Sequence, residues 1–207
     1  MAEDSEAEPR GPTGWLFGGY AVYMRGLTPF FTLCCFLFLF SLTMGYALGS
    51  SLPRSGLDEI NSAFPDISQW GIAGIFAFIV INNVGKGLLF MLLGVFVGIP
   101  SLFFIIFNGF ITGWVAYDVA TQYSMAVAVA SLVPHGVIEV PMFLLSVAMG
   151  MGIGYQMLNR IRGQGDPVRE LRLALGLFLR RILILFIVSA VVETTITPIM
   201  MFLAGYG

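Results

Sequence analysis

The single histidine of the chain, His135, lies four residues before Glu139 in sequence that is otherwise apolar enough for the interior of a lipid bilayer. Residues four apart on a helix share one face, with about 5–6 Å between their Cβ atoms. Pro134 and Pro141 bracket the pair, so nearby backbone carbonyls lose their usual donors and can face a cavity or an ion. Because a charge at the bilayer centre costs roughly 2.5–3.5 kcal/mol, the pair is a candidate functional site.

Other polar residues interrupt the apolar sequence at separate places. Glu193 lies near the middle of the last apolar segment, and asparagines interrupt two earlier ones. Intramembrane polar groups need partners, so we predict that these residues meet the histidine and its glutamate. The predicted intramembrane polar cluster consists of Asn82, Asn83, Asn108, His135, Glu139 and Glu193.

Three interpretations of this cluster compete. In the first, its side chains hydrogen-bond between helices and fix their packing, at about 0.5–2 kcal/mol per contact. In the second, acids and a histidine at mid-depth form a proton or cation pathway, or a small-molecule transport site. In the third, His135, Glu139 and Glu193 bind a metal ion, since histidine and carboxylates are zinc ligands.

The metal interpretation does not extend readily to catalysis. One histidine and two acids leave no separate general base, and their spacing is not the His-Glu-x-x-His pattern of zinc hydrolases. No Ser, Cys or Lys stands beside a base as an activated nucleophile would. An enzyme is therefore not favoured. A divalent cation fits the cluster, but the sequence does not require a cofactor.

The composition is that of a polytopic membrane protein. Of 207 residues, 57% are hydrophobic and 11% charged, and the mean hydropathy is +0.89, whereas soluble domains contain about 25% charged residues. We expect a multi-pass protein of the cell membrane, surrounded by lipid, and nothing indicates nucleic-acid binding. Cys34 and Cys35 are adjacent, so we interpret them as packing residues and not as a disulfide or zinc ligands.

The start of the chain differs from the rest. Residues 1–13 are acidic and contain proline and glycine, which predicts a disordered tail. Residues 14–28 carry aromatic rings without a full spanning length, as an interfacial helix does. The acidic start lacks the basic region of a cleavable signal peptide, so the first apolar run is expected to stay as a span. Residues 29–207 then form one transmembrane helical domain.

We predict an all-α transmembrane helical bundle of about five spans, because each crossing needs about 20 apolar residues. The first, fourth and fifth spans are predicted at about 30–49, 132–158 and 182–203, with loops at 50–69 and about 118–130.

Residues 70–118 are too long for one span and suit two, but the point of division is open. The polar run 82–87 is one candidate. The other is residues 98–101, where Pro100 would break the helix and leave Asn82, Asn83 and Lys86 buried. A broken or re-entrant second helix, which would give six helices, satisfies both signals.

Basic residues set the expected orientation, because cytoplasmic loops carry the excess of Lys and Arg. Six of the ten basic residues lie between Arg160 and Arg181, so the segment 159–181 and the N-terminus are expected inside. The loops after the first and third spans and the C-terminus are then expected outside. Asp166-Pro167 is a typical helix start, which predicts a basic amphipathic helix over about 168–181.

Four patterns occur in order along the chain: Asn82-Asn83, Phe107-Asn108-Gly109-Phe110-Ile111-Thr112-Gly113, Pro134-His135-Gly136-Val137-Ile138-Glu139-Val140-Pro141 and Val192-Glu193-Thr194-Thr195-Ile196-Thr197-Pro198. Together they resemble the stage II sporulation protein M family of integral membrane proteins over about residues 30–200. The Pro-His-Gly-x-x-Glu-x-Pro element is the most specific. The resemblance implies that the six residues of the predicted cluster form one family-wide intramembrane feature, and it establishes no enzymatic residue.

The family's namesake is a membrane scaffold that localises a peptidoglycan-degrading machine during engulfment in spore-forming bacteria. Many relatives, archaeal ones included, have no assigned biochemical role, so the motif does not carry the sporulation role with it. Gly45 and Gly49, like Gly150 and Gly154, have the spacing at which helices approach closely.

We therefore expect a non-enzymatic membrane scaffold that works as an oligomer, in the first instance a dimer, with membrane or cell-envelope proteins as partners. The alternative is an ion- or proton-coupled transporter or channel-like protein whose pathway passes the histidine and the two glutamates. An intramembrane metal site is the third expectation.

Overall fold

The computed structural model describes residues 20–63, 65 and 69–206, and within them it contains helices and no strands. Five helical segments are long and apolar enough to cross a membrane: residues 21–51, 72–95, 99–122, 125–161 and 167–203. The predicted all-α bundle with five spans is thereby confirmed.

The helices are α1 (Ala21–Leu48), α2 (Arg54–Ser62), α3 (Ile72–Leu92), α4 (Ile99–Gln122), α5 (Met125–Ile161), α6 (Pro167–Leu177) and α7 (Leu183–Leu203). Two 3-10 turns lie at Gly49–Ser51 and Leu93–Val95, and a π-helical turn lies at Phe178–Ile182.

Part of the predicted N-terminal organisation lies outside the described residues. This applies to the acidic tail 1–13 and to residues 14–19 of the predicted interfacial helix. The rest of that helix, from Ala21 onward, continues without interruption into α1. Its place at the membrane interface stays a prediction.

The division of residues 70–118 lies at residues 93–98, directly before the second candidate at 98–101, so the alternative division at residues 82–87 is wrong. α3 continues through the polar run to Leu92. The chain then reverses through Val97 and Gly98, whose φ angles of 63° and 74° lie in the left-handed region, and Pro100 occupies the first turn of α4. Proline suits that position because the first-turn N–H has no helical acceptor.

The predicted loop 118–130 is much shorter in the structure, because its polar residues end one helix and begin the next. The Thr121 hydroxyl donates to the Asp118 carbonyl at 2.9 Å, and the Gln122 amide donates to the Asp118 carboxylate. The side chain of Ser124 accepts from the Val127 N–H at 3.2 Å and caps α5. Only residues 123 and 124 connect α4 to α5.

The connection between the last two spans follows the sequence signals. The Asp166 carboxylate accepts from the Arg169 N–H at 3.0 Å, and Pro167 begins α6. This is the predicted helix start, with a capping acid followed by proline. α6 ends at Leu177, and the chain stays helical through the π-helical turn into α7.

The two glycine motifs bring helices of the same chain together. A Cβ at Gly45 would overlap the backbone of Phe110, and one at Gly154 would overlap the turn at Val97 and Gly98. Close backbone approach of this kind is what small residues allow in membranes. These glycines therefore give no support to a contact between two copies, and the dimer stays a prediction.

The bundle has two unlike ends. At one end the rings of Tyr123 and Tyr206 lie 4.8 Å apart between centroids; we call it the Tyr123 end. At the other, the Ile153 end, a continuous apolar core joins α1, α3, α5, α6 and α7. Its fully buried members include Leu27, Met91, Met149, Ile153, Leu177, Phe178, Ile182 and Phe186.

Candidate functional site

Polar residues recur at intervals of four along three helices, and all of them except Ser189 line one cavity between these helices. Because residues four apart share one helix face, each set forms a short polar stripe. The stripes are Ser131, His135 and Glu139 on α5; Ser189, Glu193 and Thr197 on α7; and Asn82 and Lys86 on α3.

His135, Glu139 and Glu193 converge, each offering one ligand atom, and these atoms all lie within 4.8 Å of one another. All three side chains are half-buried. Two residues come from α5 and the third from α7, so the group is assembled only when these helices pack. An imidazole nitrogen and two carboxylates at this separation can share a proton or a cation.

Glu139 has the most hydrogen-bond partners of the three. The Asn83 amide donates to Glu139 Oε2 at 2.9 Å, and the Asn82 amide donates to Asn83 Oδ1 at 3.3 Å. The buried Ser189 hydroxyl lies 3.5 Å from Glu139 Oε2 and 3.3 Å from the His135 carbonyl. These donors fix the carboxylate in one orientation, as supporting groups do around functional carboxylates.

The His135 ring is held by Thr197, whose hydroxyl lies 3.5 Å from Nδ1. The same hydroxyl donates to the Val192 carbonyl at 3.4 Å. In the tautomer that carries its proton on Nδ1, the ring donates to this hydroxyl, and Nε2 keeps its lone pair for a ligand.

Lys86 supplies a positive charge beside the two glutamates. Its side chain lines the same cavity as theirs and, together with Glu139, a second smaller cavity. When both acids are ionised, two negative charges face one positive charge. The group as a whole then favours a further cation.

Three cavities meet at this group, and Glu139 lines all of them. The polar cavity, of about 670 Å³, lies between α3, α5 and α7. The apolar groove, of about 530 Å³, lies between α1, α4 and α5 and also reaches His135. The small cavity, of about 210 Å³, is lined by Lys86 and Asn108 as well.

Both larger cavities extend toward the Tyr123 end. The polar cavity reaches Ile72, where α3 begins, and Met201, near the end of α7. The apolar groove reaches Tyr46 and Met125 at the same end. No buried residue of the apolar core at the Ile153 end lines either of these cavities, so the site lies toward the Tyr123 end. A separate cavity of about 260 Å³ borders that core at Leu27 and Leu145.

The structure brings five of the six predicted cluster residues to the polar cavity: Asn82, Asn83, His135, Glu139 and Glu193. Asn108 does not line the polar cavity, and its amide donates to the Phe104 carbonyl of its own helix at 2.8 Å. It lines the small cavity together with Glu139.

Sequence reasoning did not assign Lys86, Ser189 or Thr197 to the site. A signal was present, since each lies four residues from a predicted cluster residue: Asn82 for the lysine and Glu193 for the other two. On α7 the interval of four marks one polar face. On α3 the sequence indicates Lys86 only as a basic residue that bears on membrane orientation, or as a residue that a continuous helix would bury.

Comparison with known proteins gives the family. The model of the family described as "Stage II sporulation protein M" matches residues 34–198. The chain is 31% identical to an uncharacterized protein of Methanocaldococcus jannaschii over 168 residues, which is 78% of this chain and 91% of that protein. A second uncharacterized protein of that organism is 32% identical over 121 residues, 56% of this chain and 52% of the relative. No solved structure matches.

The matched region contains every residue that lines the polar cavity except Met201. It also agrees with the range over which the four sequence patterns resemble the family. The chain therefore belongs to the stage II sporulation protein M family.

Proposed function

We propose that this protein is a multi-pass carrier of the cell membrane that takes up a cation or a proton at the group formed by His135, Glu139 and Glu193. The observation that carries the proposal is the position of Glu139, which lies at the junction of three cavities with its two partners within 4.8 Å. Ionisable groups inside membranes mark ion pathways and proton relays.

Packing alone does not account for this arrangement. Each hydrogen bond between membrane helices stabilises their packing by about 0.6 kcal/mol on average. Fully enclosed side chains can form such bonds without a cavity beside them. Here the two glutamates are half-buried and border a space of about 670 Å³. A polar space of that size accommodates water or a ligand.

A carrier fits better than an open channel, because neither of the two larger cavities continues into the apolar core of the Ile153 end. Passage to that side requires a rearrangement of the helices. Pro134 and Pro141 in α5 and Pro198 in α7 lie near the site, and the π-helical turn begins at Phe178. Prolines and π-helical turns are places at which helices bend.

The test is ion flux into liposomes that contain the purified protein. A pH-sensitive dye inside the vesicles reports proton movement, and imposed gradients of monovalent or divalent cations test coupling. Wild type is expected to show flux, and the double variant His135→Ala, Glu139→Gln none. Asp118→Asn removes a carboxylate at the end of α4 and serves as the matched control. Flux that survives in the double variant would rule out this site.

A membrane scaffold that acts as a dimer is the second candidate function, and family membership favours it. The outer face of α4 and the preceding turn supplies apolar surface for a partner in the membrane, since Phe96, Ile99 and Phe103 are each at least 66% exposed. The measurement is the mass of the purified protein in detergent across concentrations, with identification of co-purified proteins. A monomer at every concentration without a co-purified partner would end this candidate.

A further inference from the structure

The geometry points to the cation itself: one divalent transition-metal ion of the zinc class, bound by His135, Glu139 and Glu193, with the Lys86 ammonium offsetting one of the two carboxylate charges when the metal is absent. This inference rests on the proposed function, because it names the cation that the same site takes. It adds a competition between the metal and a lysine of the chain.

The distances among the three ligand atoms suit a metal site whose side chains move slightly closer together when the ion binds. The three ligand atoms lie within 4.8 Å of one another. Zinc binds nitrogen and carboxylate oxygen at about 2.0–2.2 Å with tetrahedral geometry, which places ligand atoms roughly 3.3–3.6 Å apart. Small side-chain rotations of the two glutamates cover the difference. Three protein ligands leave a fourth position open toward the polar cavity.

The kinds of ligand select the class of metal. Magnesium and calcium prefer oxygen ligands alone, whereas imidazole together with carboxylates suits zinc and its first-row neighbours. With its proton on Nδ1 beside the Thr197 hydroxyl, His135 offers Nε2 to the metal. The Asn83 amide holds one oxygen of Glu139 at 2.9 Å, so the other is available.

Charge arithmetic brings Lys86 into competition with the metal. Two ionised glutamates and one ammonium have a net charge of about −1, whereas a divalent ion alone neutralises the two glutamates. Both cations together would leave an excess positive charge in a weakly polar interior, which is unfavourable. Lys86 lines the small cavity as well as the polar cavity, so its ammonium has a second place to occupy when a metal binds.

The experiment is metal titration of the full-length protein in lipid nanodiscs after treatment with a chelator. Zinc affinity is measured by competition with a chromophoric chelator, and cobalt is used as a spectroscopic probe of coordination. Wild type is expected to bind one equivalent of zinc, with a cobalt spectrum typical of tetrahedral coordination. Glu139→Gln and Glu193→Gln are expected to weaken binding by about 100-fold or more, because loss of a group that only supports a ligand already costs about 10–100-fold.

Lys86→Met is the most informative variant, because it is expected to raise the affinity for zinc. Removing the competing ammonium should tighten zinc binding by about tenfold or more, which a misfolded protein would not do. Asp118→Asn should leave the affinity unchanged, because Asp118 lines none of the three cavities that meet at the site. Absence of zinc binding by wild type, or binding that the two glutamine variants leave intact, would overturn the metal site. Unchanged or weaker binding in Lys86→Met would overturn the competition.

The two proposals fail in different ways. If the protein binds no metal but moves protons through Glu139, the metal inference is wrong and the carrier proposal stands. If it binds one zinc ion through the three ligands but moves no ion across a membrane, the metal site stands and the carrier proposal fails.

Discussion

Two glycines hold α1 and α4 together, and one added methyl group at either is expected to weaken that contact. A Cβ at Gly45 would overlap the carbonyl oxygen of Phe110 and lie 3.0 Å from its Cα, while a Cβ at Gly113 would overlap the Leu42 oxygen and lie 2.8 Å from the Tyr46 nitrogen. These are backbone atoms, so no side chain can rotate away. The helices would have to separate by roughly 1.5–2 Å to restore contact distances of about 3.5–4.0 Å.

The expected loss follows from two opposing terms. Overpacking of a well-packed contact costs about 1–3 kcal/mol. Replacing glycine by alanine within a helix returns up to about 1 kcal/mol through helix propensity. Gly45→Ala and Gly113→Ala should therefore each lower the free energy of unfolding by about 1–2 kcal/mol. The double variant should lose less than the sum, because both substitutions separate the same two helices.

The assay is unfolding of the purified protein in mixed micelles, with Gly85→Ala as the matched control. Gly85 lies within α3, is exposed, and has no atom within 4 Å of an added Cβ. That control should be as stable as wild type or slightly more stable. If Gly45→Ala and Gly113→Ala were as stable as Gly85→Ala, the close contact of α1 with α4 would be refuted.

Three further substitutions test other parts of the fold by the same unfolding assay. Val97 has a φ of 63°, a strained conformation for a β-branched residue, so Val97→Gly should gain about 1 kcal/mol; destabilisation would contradict the left-handed turn. The Ser101 hydroxyl donates to the buried Phe90 carbonyl at 2.7 Å, so Ser101→Ala should lose about 1–2 kcal/mol, and no change would mean that this bond does not form. Arg54 and Asp118 pair at 3.4 Å with Arg54 largely exposed, so Arg54→Ala should cost less than about 1 kcal/mol, and a larger loss would show a further role for that arginine.

The number of spans could be predicted because hydrocarbon thickness sets a length that apolar sequence must match. The division after α3 could not, since a polar run and a glycine-proline run are both plausible helix ends. What decides between them is tertiary: Asn83 finds its acceptor in Glu139, 56 positions along the chain. A polar residue with a partner on another helix can stay inside a span.

The candidate site was predictable in part for the same reason. Spacing alone places His135 and Glu139 on one face, and an acid within an apolar segment indicates a special position. That Glu193 completes the group depends on how α5 and α7 pack, which spacing does not reveal. Asn108 resembled the other polar residues in sequence, but its amide is satisfied within its own helix.

The most direct test of a ligand site open to one end of the bundle is the reactivity of a cysteine placed beside it. Thr194 lines the polar cavity, whereas Ser146 is fully buried in α5; each is replaced by cysteine after Cys34 and Cys35 have been changed to alanine. A membrane-impermeant thiol reagent is applied to each side of oriented vesicles. Thr194→Cys is expected to react from the side of the Tyr123 end only, and Ser146→Cys from neither side. Thr194→Cys that is inert from both sides, or that reacts from the Ile153 end, would contradict a polar site open toward the Tyr123 end.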